Sequence, residues 1–157
     1  MSGRFEMVQR MVDSALVAVI RVPGGGADEG PDRLVRVCEA LVAGGVDVAE
    51  ITMTSPGALE AIKRANEALD PQCLIGVGSV LDPETARAAI LAGARFIVAP
   101  TFNPAVLEMG HRYGVPVIPG ALTPTEVLGA WEAGADLVKV FPANHFGPRY
   151  FRDLLAP

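Results

Sequence analysis

The stretch Ala133-Gly134-Ala135-Asp136-Leu137-Val138-Lys139-Val140-Phe141-Pro142 reads as a helix end, a glycine, small or charged residues, and then an apolar strand. Glycine is favoured just past a helix because that position often adopts the left-handed conformation. The same pattern recurs at Ala43-Gly44-Gly45-Val46-Asp47, Ala92-Gly93-Ala94-Arg95-Phe96 and Tyr113-Gly114-Val115-Pro116-Val117. The later copies lie roughly twenty residues apart, the length of one compact strand-plus-helix unit.

Working outward from these copies, strands are expected over 15–22, 46–53, 73–80, 95–100, 115–121 and 136–142. Helices are expected over 31–43, 56–69, 83–92, 104–113, 124–133 and 148–155. Three helices carry a start signal, Asp82 before Pro83, Asn103 before Pro104 and Thr123 before Pro124. Each is a capping residue followed by proline at the first helical position. Regular alternation of strand and helix implies an α/β fold with a parallel sheet and right-handed crossovers.

Two architectures fit that alternation, an open doubly wound sheet and a closed (β/α)8 barrel, the TIM barrel. A dinucleotide-binding sheet needs its glycine fingerprint after the first strand. Gly76-Val77-Gly78-Ser79-Val80-Leu81 follows the third and lacks the third glycine. The uniform repeat favours the barrel. A complete barrel takes about 200 residues or more. Residues 1–157 are therefore expected to form one barrel domain with about six β/α units, the last two missing. Strands one and six would then be unpaired edges.

Composition narrows the function classes. Half the residues are apolar and only 6% are aromatic, so the core is aliphatic. A net charge of −5 without a basic cluster argues against nucleic acid or an anionic membrane as partner. Cys38 and Cys73 lie in apolar segments without metal-type spacing and read as reduced core residues. The apolar run 15–20 is too short to span a membrane and lacks a small-residue cleavage site after it. A soluble cytoplasmic protein is expected. No His, Asp, Glu or Cys set has metal-ligand spacing, which disfavours a metal-dependent mechanism.

Lys139 is the residue hardest to justify structurally. Its strand reads as buried on both faces, because strands of parallel sheets are near-continuous in aliphatic residues. A buried ammonium must find a partner or lose its proton, and a neutral lysine is a nucleophile toward carbonyl carbon. Glu50 intrudes in the same way into Val46-Asp47-Val48-Ala49-Glu50-Ile51-Thr52-Met53. Side chains alternate along a strand, so Leu137, Lys139 and Phe141 share one face and Val48, Glu50 and Thr52 another. If both faces point inward, the amine and the carboxylate meet at one barrel mouth, where reactive groups come from strand ends. The bland alternative is a buried ion pair.

Other residues at strand ends have a functional and a plain reading. Arg21 offers a guanidinium fork for an anionic substrate group, or is an ordinary loop arginine. Ser79 offers a hydroxyl for a carboxylate, or caps the strand-to-helix turn. Pro100, Pro119 and Phe141-Pro142 shape a rigid apolar mouth, or simply make turns. Gly24-Gly25-Gly26 is followed by acidic residues and reads as a flexible loop rather than a phosphate cradle. His111 reads as a surface residue of the fourth helix, and His145 as a loop residue near the mouth without a visible partner.

Taken in order, Ala40-Leu41-Val42-Ala43-Gly44-Gly45-Val46, Glu50-Ile51-Thr52, Gly76-Val77-Gly78-Ser79-Val80-Leu81, Ile118-Pro119-Gly120 and Lys139-Val140-Phe141-Pro142-Ala143 carry a family resemblance. The chain resembles the 2-keto-3-deoxy-6-phosphogluconate (KDPG) aldolases, the Schiff-base lyases of the Entner–Doudoroff route, along nearly all its length. The resemblance implies a class I aldolase barrel without metal or other cofactor, acting as a homotrimer on a phosphorylated keto-deoxy sugar acid and yielding pyruvate. It implies that Lys139 is the Schiff-base lysine and Glu50 the general acid/base. Ser79 matches a threonine that contacts the pyruvate carboxylate, and Arg21 an arginine at the end of strand one. Thr52 belongs to the Glu50-Ile51-Thr52 landmark and is counted with the substrate-binding residues. Pro100 and Phe141 match residues lining the pyruvate pocket.

The chain also departs from that pattern. Many members carry an arginine shortly after the strand-two glutamate, where this chain has Thr52-Met53-Thr54-Ser55-Pro56. Ser55-Pro56 and Phe146-Gly147-Pro148-Arg149-Tyr150 look like the related 6-phosphogalactonate aldolases. The phosphate-holding loops of the family lie in two further strands expected beyond this chain. The C4 epimer preference and cleavage of 4-hydroxy-2-oxoglutarate stay open, as do a phosphosugar isomerase or epimerase on the same barrel and an inactive fragment.

Overall fold

Strand and helix alternate in space as they do in sequence. The computed structural model describes residues 3–22 and 30–156. Among them, α1 (Arg4–Ser14) precedes β1 (Ala18–Ile20), α2 (Pro31–Ala43), β2 (Val48–Thr52), α3 (Ala58–Leu69) and β3 (Leu74–Gly78). There follow α4 (Pro83–Leu91), β4 (Ile97–Val98), α5 (Pro104–Arg112), β5 (Val117–Ile118) and β6 (Gly120–Ala121). The last elements are α6 (Pro124–Glu132), β7 (Lys139–Val140) and α7 (Gly147–Leu154).

Every strand pairing is parallel, in the orders β1-β2-β3-β4-β5 and β6-β7. The fold is therefore of the expected α/β class. One strand was expected over 115–121, but Pro119 divides it into β5 and β6. Proline has no N–H to give a ladder. The two pairings remain neighbours, because Asp136 N–H donates to Val117 O at 3.3 Å and Lys139 N–H to Pro119 O at 2.9 Å. Among the described residues, β1 and β7 each pair on one side only.

The two sheet faces hold different cores. One carries Ala49, Ile51, Ile75, Val77, Ile97 and Val117 against helix residues such as Leu34, Cys38, Ile62 and Val106. The other carries Val48, Leu74, Phe96, Val98 and Ile118, with Leu137 at its margin, against Met7 and Met11 of α1. Phe96 lies across Gly76, where an added Cβ would fall 2.5 Å from the ring. Both cysteines are free and buried, and burial pushes the Cys38 thiol up to about 12.

Helix α1 was not anticipated. Its only buried residues, Met7 and Met11, are four apart, a narrow apolar stripe on a polar segment. Arg10 ties it down by donating to Asp47 Oδ2 and to the carbonyls of Pro71 and Gln72. Arg4 donates to Asp136 Oδ1 at 2.6 Å. These partners precede β2, β3 and β7, so α1 lies across the amino-terminal ends of the strands.

The last strand departs most from expectation. Residues 136–140 are half-buried rather than fully buried, and Phe141 and Pro142 are exposed. Burial on both faces needs a strand alongside and a covering layer. Strand β7 has one paired neighbour, and α7 buries none of its residues.

Candidate functional site

Glu50 lies two residues after Val48, and Lys139 two after Leu137. Val48 and Leu137 both belong to the core shared with α1. Period-two alternation therefore sends Glu50 and Lys139 off the same sheet face, toward the carboxyl ends of the strands.

Glu50 is 3% exposed. It pairs in register with Val19 on one side and Gly76 on the other. Its carboxylate occupies the space above Gly78, where an added Cβ would stand 2.6 Å from Oε1 and 2.8 Å from Cδ. Any larger side chain at position 78 would evict the carboxylate. Burial raises the Glu50 carboxyl above its ordinary value of 4.5, while the positive charges of Lys139 and Arg21 act the other way. Glu50 of β2, Lys139 of β7 and Arg21 just after β1 thus share one electrostatic field.

Lys139 pairs with Gly120 of β6. It is half-buried rather than sealed in a dry strand. Its Nζ stands 5.1 Å from the centroid of the Phe141 ring, a cation–π arrangement between two side chains on the same strand face. An added Cβ at Gly120 would fall 2.2 Å from Pro100 O. Glycine there lets the strand carrying the lysine's partner close against the end of β4.

The remaining expected residues are distributed around this pair. Arg21 follows β1 and is exposed. Ser79 follows β3, half-buried, with φ of +60°. Such left-handed backbone costs a non-glycine residue about 1–3 kcal/mol. Pro100 is half-buried, two residues past the end of β4. Thr52 is fully buried, and its hydroxyl donates to Ile20 O at 3.1 Å. Ser55, which the sequence marks only by its Ser-Pro dipeptide, is 3% exposed, and its Oγ accepts from Val22 N–H at 3.0 Å. Gly24-Gly25-Gly26 lies outside the described residues. His145 is exposed beside the Asn144 amide.

His111 is half-buried, contrary to the surface position expected for it. Its Nε2 is 3.9 Å from Asp136 Oδ2, near Arg4. Burial first, and then the Arg4 charge, lower its pKa against the pull of Asp136. This cluster belongs to the amino-terminal end of β7, away from Glu50. Two hollows also open on that side, about 450 Å3 beside α1 and Asp47 and about 650 Å3 beside Asp70, Gly93 and Val115. Among the described residues, no group of three or more His, Cys, Asp or Glu side chains is placed to hold a metal ion. No described helix is long and apolar enough to cross a membrane.

A family model described as "KDPG and KHG aldolase" matches residues 7–157. The chain is 37% identical over 126 residues to the 2-dehydro-3-deoxy-6-phosphogalactonate aldolase of Escherichia coli (strain K12), covering 80% of this chain and 62% of that protein. It is 36% identical over 155 residues to the 2-dehydro-3-deoxy-phosphogluconate aldolase of Treponema pallidum (strain Nichols), covering 97% of this chain and 68% of that protein. It spans about two thirds of the length of these relatives. A solved KDPG aldolase from Legionella pneumophila, with pyruvate captured at low pH as a covalent carbinolamine intermediate, superposes with a TM-score of 0.76. That match is 28% identical and covers 89% of this chain and 65% of that one.

Proposed function

The chain belongs to the KDPG and KHG aldolase family, and on that premise we propose that it carries the pyruvate-forming half of a Schiff-base aldolase site. The reaction is cleavage of 2-dehydro-3-deoxy-6-phosphogluconate to pyruvate and glyceraldehyde 3-phosphate. The observation that supports it best is the common face of Glu50 and Lys139, with Arg21 acting on the same carboxylate.

The Lys139 amine adds to the C2 ketone, giving a carbinolamine that loses water to form an iminium. Glu50, ionised, takes the C4 hydroxyl proton. The C3–C4 bond breaks, its electron pair passes into the iminium, and glyceraldehyde 3-phosphate leaves. Protonated Glu50 returns the proton to C3 of the enamine, and water then releases pyruvate from Lys139. A carboxyl lifted by burial suits this two-way traffic, because the best acid/base groups titrate near the working pH. Ser79 and Arg21 hold anionic groups of the substrate, and Pro100 and Phe141 wall the pyruvate end. By family, the protein works in the cytoplasm, in the Entner–Doudoroff route, as a homotrimer.

A second reading is the C4 epimer, 2-dehydro-3-deoxy-6-phosphogalactonate. It is favoured by the name of the first relative above and by the Ser55-Pro56 dipeptide. Relative kcat/KM on the two epimers decides between them.

Pyruvate and borohydride test the chemistry on the full-length protein. One covalent addition is expected on Lys139, absent from Lys139→Ala. No adduct in the parent, or one that survives Lys139→Ala, rejects the aldolase assignment and favours an isomerase or epimerase. Glu50→Gln should keep the adduct and slow turnover about 10²–10⁴-fold.

A further inference from the structure

Among the described residues, three polar side chains are buried: Glu50, Thr52 and Ser55. Glu50 has a chemical assignment and the two hydroxyls do not. Both lie at the carboxyl end of β2, and both reach across to β1. The Thr52 O–H donates to Ile20 O at 3.1 Å, and Ser55 Oγ accepts from Val22 N–H at 3.0 Å. The two oxygens are 3.3 Å apart, and Thr54 Oγ1 is 3.0 Å from that of Thr52. A hydroxyl has one proton and two acceptor lone pairs. With its proton spent on Ile20, Thr52 accepts from its neighbours, and the cluster is satisfied without solvent.

The two backbone groups so held are the Ile20 carbonyl and the Val22 N–H. They belong to the peptide units on either side of Arg21. The β1–β2 register ends at Ile20 opposite Ile51. Past that point the two hydroxyls hold the edge strand to the sheet. Ser55 is itself braced, its N–H donating to Thr52 O at 2.9 Å. An arginine on a long flexible stem aims its guanidinium only as well as its backbone is anchored.

We propose that Thr52 and Ser55 are positioning residues, a two-hydroxyl clamp that fixes where Arg21 presents its guanidinium. The assignment rests on the aldolase reading above. It moves Thr52 from contact with substrate to control of a residue that makes that contact. It also gives the Thr52-Met53-Thr54-Ser55 segment a function of its own. Arg21 supplies the cation, and the hydroxyls hold its flanking peptides in place.

The test is a mutant cycle on the full-length protein, reading kcat and KM for 2-dehydro-3-deoxy-6-phosphogluconate cleavage with melting temperature alongside. Thr52→Val and Ser55→Ala should each raise KM about tenfold, with kcat changed less, since small misplacements of a binding group are costly. Thr52→Ser, which keeps the hydroxyl, should restore KM. In an Arg21→Ala background, Thr52→Val should add no more than about twofold, because residues acting through one group are not additive. An equal KM rise in both backgrounds, or a lower melting temperature with unchanged KM, overturns the clamp. Should Thr52→Val not fold, the cycle of Ser55→Ala with Arg21→Ala reads the same coupling. Borohydride trapping with pyruvate separates the two levels. An adduct in every variant with additive KM effects removes the clamp alone, whereas no adduct in the parent removes the aldolase reading and the clamp with it.

Discussion

The two ends of the proposed chemistry sit in opposite settings. Glu50 is on β2, paired on both sides and nearly sealed, above a glycine that leaves room for nothing but the carboxylate. Among the described residues, Lys139 is on β7, paired on one side and half-buried, with the exposed Phe141 ring 5.1 Å from its Nζ. The carboxylate is held by the interior of the sheet, so its titration is a property of burial. The amine is half-exposed, with a single aromatic ring beneath it. Substitutions of the sealed residues of β2 to β4 should therefore cost stability and activity together, whereas those of the exposed Phe141 should cost activity with little stability.

The largest expected effect contrasts two phenylalanines. Phe96 is fully buried over Gly76, and Phe96→Ala should lose about 3–5 kcal/mol in a denaturant melt. If that loss were below 1 kcal/mol, the sheet face beneath Glu50 would not be packed as described. Gly78→Ala comes next. Its methyl would meet Glu50 Oε1 at 2.6 Å, so it should cost about 1–3 kcal/mol by overpacking. The displaced base should also lower turnover about 10²-fold. Near-normal kinetics in a folded Gly78→Ala protein would show that the carboxylate has somewhere else to go.

The third prediction concerns pH. The folded Glu50 carboxyl sits above its ordinary value, chiefly through burial. Its stabilising contribution is thus complete below that ordinary value and is lost as pH rises through the folded one. Glu50→Gln cannot ionise, so its melting temperature should gain on the parent between pH 4 and pH 8. Lys139→Met removes a charge that opposes the shift, and should move the titration further up. A melting difference that does not vary with pH would sever the link between burial and titration.

The smallest effect is at the margin. Phe141→Leu should change stability by less than about 1 kcal/mol, as for most exposed sites. Its mark should appear instead in the rate of iminium formation with pyruvate, because the ring lies over the amine. A large stability loss there would mean that the ring is packed away from solvent.

Much of this was legible in the sequence. The Gly-terminated helices and apolar strands set the order of units, and Asp82, Asn103 and Thr123 marked helix starts that the structure places there. Glu50 and Lys139 stood out because a charge inside an aliphatic strand is costly wherever it goes. Helix α1 was not legible, since two methionines on a polar segment carry a weak periodic signal. His111 read as a surface residue because Asp136 and Arg4 reach it only through tertiary packing.

The sequence by itself determined the class of fold, the order of its elements, the family, and which charged residues needed a chemical reason. Only the tertiary structure decided that Glu50 is sealed while Lys139 is half-open, that Pro119 breaks one strand into two, and that Thr52 and Ser55 turn their hydroxyls to the peptides beside Arg21. Local pattern reports what each residue prefers. Burial, register and hydrogen-bond partners depend on residues far along the chain, and these exist only once the strands lie side by side.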